Sequence, residues 1–245
     1  MSNAYTYLSG YYDEINKGYD YRSYAKMITA VCGKKAKIFE LGCGTGNLSL
    51  ELAKEGHTVI ASDISEDMLA IASSKLGSGK LDIRFVKADM RRFDPGFAPG
   101  AVVAGLDCAN YLVKESELME FLSCSAKCLD TGGYLIFDIN TGYRFKEIFA
   151  NTDYVFPVGD DMVVWENYYN EETEICRFVL DYFVCGEDGR YERLTEVQKQ
   201  KYYPDEKIRE LSAAAGFEFY AVYGNTKQES PRPDDLKNYY IFKKE

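Results

Sequence analysis

Three alternate glycines, Gly42, Gly44 and Gly46, follow an apolar run from Ala36 to Leu41, and an amphipathic segment, Leu48 to Lys54, comes after them. Glycine has no Cβ, so a turn of this kind lets a ligand approach the main chain closely. At the carboxyl end of a strand, opening a helix, it suits a nucleotide-like cofactor. Two carboxylates extend the pattern. Asp63 ends the next apolar run and could accept hydrogen bonds from both hydroxyls of a ribose. Asp89, in Val86-Lys87-Ala88-Asp89-Met90, could accept the exocyclic amine of an adenine, with Ala88 and Met90 flanking the ring.

The spacing excludes two common nucleotide sites. A dinucleotide fingerprint, G-x-G-x-x-G, needs a glycine where Asn47 stands, which also argues against a dehydrogenase. A P-loop needs a lysine followed by Ser or Thr after its last glycine, and none is present. The turn therefore fits a ligand without a pyrophosphate.

Alternating elements must position these groups. The patterning predicts a helix over Tyr21–Val31, strand Ala36–Leu41, helix Leu48–Lys54, strand Thr58–Ser62 and helix Glu66–Leu76. Strands Leu81–Val86 and Ala101–Leu106, helix Ser116–Leu129 and strand Tyr134–Asp138 follow. Such alternation predicts an α/β fold with parallel strands and right-handed crossovers. Ser65 can cap the helix that begins at Glu66. After Asp138 the pattern changes to aromatic and β-branched runs, Met162–Tyr169, Thr173–Val184 and Tyr191–Lys201, which predict a three-stranded antiparallel meander. Trp165 and Tyr169 share one face of its first strand, Glu166 and Tyr168 the other; Arg177, Glu196 and Gln198 are polar positions on the later strands. A helix over Asp205–Ala215, stopped by Gly216, and a final antiparallel pair, Glu218–Tyr223 and Asn238–Phe242, close the chain. The expected division is a Rossmann-like core of residues 1–139 and 202–245 with an inserted β cap of residues 140–201.

Composition narrows the function classes. The net charge is −10, from 29 basic and 39 acidic residues, which argues against a nucleic-acid or anionic membrane surface. No run approaches the roughly 20 apolar residues of a membrane span. Met1–Tyr12 shows no signal-peptide pattern, so cytoplasmic residence is the expectation. The seven scattered cysteines read as reduced thiols, and no metal site is expected, the pair Cys124 and Cys128 lacking a second close pair. His57, the single histidine, reads as a solvated loop residue at the sheet end opposite the glycine turn, which leaves no histidine general base.

Together these residues resemble the class I S-adenosylmethionine-dependent methyltransferases over most of the chain. Glu40-Leu41-Gly42-Cys43-Gly44-Thr45-Gly46 is similar to that family's first motif and Asp63-Ile64-Ser65-Glu66-Asp67-Met68-Leu69 to its second. Ala88-Asp89-Met90 is similar to the third, and Gly132-Gly133-Tyr134-Leu135-Ile136-Phe137 to the strand after the fourth. The resemblance implies a seven-stranded sheet and S-adenosylmethionine as methyl donor. It implies that Gly42, Cys43 and Gly44 present backbone to the methionine part, with Glu40 orienting its amino end. Asp63 would hold the ribose, Ile64 and Met68 would lie against the adenine, and Ala88, Asp89 and Met90 would complete that pocket. Leu106 would lie beneath the sulfonium. Tyr12 and Tyr21, in a segment resembling the family's lid, would cover the cofactor, where an aromatic face attracts a cation.

The acceptor is less legible. Asp107, in Leu106-Asp107-Cys108-Ala109-Asn110-Tyr111, could position a substrate, accept a proton or cap the next turn. Amino-methyltransferases that act on nucleic acid carry two prolines in this segment, and this chain has none there. Some relatives have a histidine two residues after the cap glutamate; Gln198 stands there instead. The expected acceptor is a small molecule enclosed by the meander, which could alternatively form a homodimer surface. A protein or tRNA acceptor, and a non-catalytic cofactor-binding module, are the competing expectations.

Overall fold

The computed structural model describes residues 7–77 and 81–245. The first half of the Met1–Tyr12 stretch lies outside the described residues. The chain runs through α1 (Leu8–Ile15), α2 (Tyr21–Cys32), β1 (Lys37–Leu41), α3 (Asn47–Lys54), β2 (Thr58–Asp63) and α4 (Glu66–Ser74). It continues with β3 (Ile83–Lys87), β4 (Ala101–Ala104), α5 (Glu115–Cys128) and β5 (Tyr134–Asn140). Strands β6 (Tyr154–Val158), β7 (Asp161–Asn170), β8 (Ile175–Cys185) and β9 (Tyr191–Lys201) follow. Helix α6 (Asp205–Ala214), β10 (Phe217–Tyr223) and β11 (Lys237–Lys244) end the chain.

Seven strands form one sheet in the order β10-β11-β5-β4-β1-β2-β3. The first five strands in sequence pair parallel, while β11 runs antiparallel between β5 and β10. Alternate side chains of β1, β4 and β5 feed opposite layers. Phe39, Val102 and Phe137 pack with Phe121 of α5 and Leu211 of α6 on one side. Ile38, Val103 and Ile136 pack with Ile28 of α2 and Leu52 of α3 on the other. Each such side chain, fully buried, contributes about 1.5–3 kcal/mol. Because both faces are covered, the central strands read as continuous apolar runs. Chain order reverses between β1 and β4, and the crevice at their carboxyl ends is where open α/β sheets take ligands.

Local signals behave as the residue types dictate. The Asp20 carboxylate accepts the Ser23 N–H at 3.0 Å and starts α2; Ser65 Oγ accepts the Met68 N–H and starts α4. Gly216, with φ +90°, ends the turn after α6.

Three expectations are corrected. The fourth strand ends at Ala104, not Leu106, because Leu106 and Asp107 both take left-handed angles, φ 55° and 53°, and turn the chain. The meander has four strands, not three. Strand β6 carries Pro157, which lacks an N–H and hides the strand pattern, but it lies at the sheet edge, where proline is tolerated. His57 is buried rather than solvated: its Nδ1 accepts the Ala36 N–H and its Nε2 lies 2.9 Å from Thr29 Oγ1.

The inner face of the second sheet, with Phe178, Leu180 and Tyr182, packs against Leu8 of α1 and against Phe145 and Phe149. Trp165 and Tyr169 join that face. Tyr168 points outward beneath the Arg177 guanidinium. Among the described residues, no helix is long and apolar enough to cross a membrane.

Candidate active site

A cavity of about 700 Å³ lies over the crevice at the carboxyl ends of the parallel strands. Gly42, Gly44, Asp63, Ile64 and Met68 line its β1–β2 side, and Ala88, Asp89 and Met90 its far end. Tyr12 comes from α1, while Leu106 and Asp107 come from the turn after β4. Trp165, Phe178 and Gln200 reach in from the second sheet.

The glycines divide their work. A Cβ on Gly46 would meet Phe85 Cζ at 2.9 Å and Ala72 Cβ at 3.0 Å, so this position serves packing of α3. The nearest atoms that a Cβ on Gly44 would meet are those of the Tyr12 side chain, at 3.7 Å and beyond, so no close neighbour covers the main chain here. Gly44 also has φ +53°, a left-handed angle that favours glycine. Its N–H donates to Asp63 Oδ2 at 2.8 Å, and the Ser65 N–H donates to Asp63 Oδ1 at 2.8 Å. Burial raises the Asp63 pKa, and these backbone donors oppose it, with a net upward shift. Each oxygen keeps a lone pair for a further donor, the requirement for holding a diol.

Asn47, which stands where a dinucleotide fingerprint has glycine, ties down α1. Its Nδ2 donates to Asp13 Oδ1 of α1 at 2.8 Å, and its Oδ1 accepts Lys75 Nζ at 2.8 Å. Thr45 Oγ1 donates to the same Asp13 oxygen, and Lys75 pairs with the other at 2.6 Å. The glycine turn thereby fixes α1 and places Tyr12 over Gly44.

Three residues expected at the cofactor stand behind the wall. Tyr21, the first residue of α2, packs edge-on against Tyr19 and is absent from the cavity lining. The Cys43 N–H is used by Ser62 O at 2.9 Å and its thiol is buried. Glu40 is buried and accepts Ser49 Oγ at 2.5 Å; burial pushes its pKa up to about 8. Asp89 does reach the cavity, but Arg91 Nη2 holds its carboxylate at 2.6 Å and, with burial opposing, keeps its pKa below the usual range.

The opposite end is a polar network that the sequence did not flag as a unit. Lys237 Nζ, at the start of β11, donates to Asp107 Oδ1 at 2.5 Å and to Asp138 Oδ2 at 2.8 Å. Asp138 also accepts the Tyr24 hydroxyl and the Asp107 N–H. Gln200 Nε2 donates to Asp107 Oδ2 at 2.6 Å, Asn140 Nδ2 to Gln200 Oε1, and Arg144 Nη1 to Asn140 Oδ1. Burial pushes the Asp107 carboxyl up, but Lys237 and Arg144 outweigh it and its pKa is lowered. Burial pushes Lys237 down, and the two aspartates raise it by more. Asp107 is therefore a charged hydrogen-bond acceptor and a weak proton acceptor. One signal was available: Glu196, Gln198 and Gln200 alternate along β9, and all three are buried, which polar residues tolerate only with partners. Nothing in the sequence around Lys237 marks it.

Lys237→Met leaves two carboxylates together in a buried site. We expect a loss of about 3–5 kcal/mol in urea unfolding, shrinking at low pH as the Asp107 carboxyl, held below its ordinary pKa by Lys237, protonates. A loss no larger than that of a surface lysine contradicts this assignment. Glu40 gives a second test. The folded chain keeps a proton that the unfolded chain releases above its ordinary pKa of 4.5, so Glu40 lowers stability progressively as pH rises from there to about 8. Relative to the parent, Glu40→Gln should gain stability through that window; a pH-independent difference would mean that Glu40 is ionised in the fold.

A family described as a methyltransferase domain matches residues 38–133. A protein of Geobacillus sp. (strain WCH70) named as a methyltransferase is 31% identical over 210 residues, covering 85% of this chain and 84% of its own. A dTDP-3-amino-3,6-dideoxy-alpha-D-glucopyranose N,N-dimethyltransferase of Streptomyces fradiae is 27% identical over 208 residues, covering 82% of this chain and 78% of its own. Among solved structures, an S-adenosylmethionine-dependent methyltransferase from Clostridium acetobutylicum ATCC 824 superposes with a TM-score of 0.84 at 23% identity, covering 97% of each chain. The glycine turn, the carboxylates at the ends of β2 and β3 and this full-length similarity agree: the chain belongs to the class I S-adenosylmethionine-dependent methyltransferases.

Proposed function

We propose that the enzyme methylates a small amine-bearing molecule held between the seven-stranded sheet and a cap formed by residues 140–201. The observation that carries this is the cavity itself. It runs from Asp63 to the Asp107–Lys237 pair and is roofed by α1 and by Trp165 and Phe178 of the second sheet. A volume of about 700 Å³ fits a cofactor and a compact acceptor. The amino-sugar N,N-dimethyltransferase among the relatives supports an amine as nucleophile.

S-adenosylmethionine supplies an activated methyl group on a sulfonium, so the protein's task is orientation. Asp63 would hold the ribose hydroxyls, and Ile64, Met68, Ala88, Asp89 and Met90 would surround the adenine. Asp89 would do so through whatever lone pairs Arg91 leaves free. Gly42 and Gly44 present main chain to the methionine part, Leu106 lies below it, and the Tyr12 ring excludes water above. Asp107 stays charged and would accept an N–H of the acceptor amine, aiming its lone pair. No base is required for an amine that arrives neutral.

Thermal shifts with S-adenosylhomocysteine and NAD test the cofactor site. A ligand at 100 times its Kd stabilises the fold by about 2.7 kcal/mol. S-adenosylhomocysteine should do so and NAD should not, and Asp63→Asn should weaken the former about tenfold or more. Labelled methyl should then appear in small-molecule fractions; incorporation confined to protein or RNA would overturn the acceptor class.

A further inference from the structure

Three cations line the cavity among the described residues, and two are neutralised within the protein. Arg91 pairs with Asp89 and Glu117, and Lys237 with Asp107 and Asp138. Arg144 differs. It is half-buried in the π-helical turn Arg144–Ile148 that follows β5, and among the described residues its guanidinium forms no ion pair. Nη1 donates to Asn140 Oδ1 at 3.0 Å, and the guanidinium carbon lies 4.9 Å from the centre of the Phe149 ring. The rest of its donor fork has no partner among the described residues.

This cation is held in place. Asn140 donates to Gln200 at 2.8 Å, and Gln200 donates to Asp107 at 2.6 Å, so each amide is oriented by the next. The Phe149 ring packs 5.0 Å from Phe178, and Phe178 packs 5.4 Å from Trp165, which makes an apolar wall beside the charge. The internal carboxylate that feels this charge, Asp107, does so without an ion-pair contact, so a pre-oriented guanidinium with unpaired donors in low-dielectric surroundings is open to an external anion. Its planar fork matches a carboxylate or a phosphate with two parallel hydrogen bonds.

We infer that Arg144 seats an oxyanion of the methyl acceptor, a carboxylate or a phosphate, and so selects anionic acceptors. With the nucleophile beside Asp107 and the oxyanion at Arg144, the acceptor is fixed at two points linked by one hydrogen-bonded chain. The assignment rests on the methyl-transfer reading of this cavity.

Trp165 is the single tryptophan and lines the cavity, so its fluorescence reports occupancy. The experiment titrates inorganic phosphate and benzoate into the full chain and into Arg144→Gln, with and without saturating S-adenosylhomocysteine. Glutamine keeps a donor for Asn140 and removes the charge. A saturable response in the parent to at least one anion is expected, weakened about tenfold or more in Arg144→Gln and partly restored in Arg144→Lys. The anion that responds separates phosphate-bearing from carboxylate-bearing acceptors. The affinity of Arg144→Gln for S-adenosylhomocysteine should match the parent, and its melting temperature should fall by no more than the loss of one charge near Asp107 explains. No saturable response to either anion, or an equal response in Arg144→Gln, overturns the inference. So does a selective loss of S-adenosylhomocysteine affinity in Arg144→Gln, because Arg144 would then serve the cofactor's own carboxylate. Failure of the parent to bind S-adenosylhomocysteine overturns the methyl-transfer reading instead, and the titration without it still decides what Arg144 binds.

Discussion

The hydrogen bonds from Gly44 and Ser65 to the Asp63 carboxylate, each 2.8 Å, are the constraint on which the site depends. They tie the turn after β1 to the end of β2 and hold a buried negative charge beside open main chain. The turn held in this way also carries Thr45 and Asn47, which clamp Asp13 of α1. One carboxylate thus organises the floor directly and the placement of α1 through the turn.

Charge matching organises the rest of the cavity. Buried ions are costly unless paired, and this end of the cavity satisfies that with Asp107 and Asp138 around Lys237, with Arg144 adding positive charge near Asp107. The pairing also settles the chemistry of Asp107. A carboxylate held by Lys237 and Gln200 stays ionised, so it orients a donor better than it takes a proton. The left-handed angles at Leu106 and Asp107 belong to the same device, since the Asp107 N–H is spent on Asp138. Backbone strain of this kind persists where surrounding contacts over-determine it. Arg144 adds to this balance through its field at Asp107 but forms no ion pair among the described residues.

The parallel half of the fold was legible because its strands, buried on both faces, are continuous apolar runs ended by glycine or aspartate. That Gly42, Gly44, Asp63 and Asp89 would gather at one cavity was legible because all four follow the carboxyl ends of predicted parallel strands. The acceptor end was not. Lys237, Asp138, Gln200 and Arg144 come from four separated segments, and topology alone brings them together. β6 was hidden by Pro157, and burial of His57 by partners, Thr29 and Ala36, that lie far from it in sequence or carry no side-chain signal. Asn47 counted only as a missing glycine; its bond to Asp13 depends on α1, which no local pattern around Asn47 encodes.

A crystal structure of the chain with S-adenosylhomocysteine measures the central claim directly. The account predicts both ribose hydroxyls within hydrogen-bond distance of the Asp63 carboxylate and the sulfur on the side of the cavity that faces Asp107. A ribose turned away from Asp63, or S-adenosylhomocysteine bound outside the cavity, contradicts it.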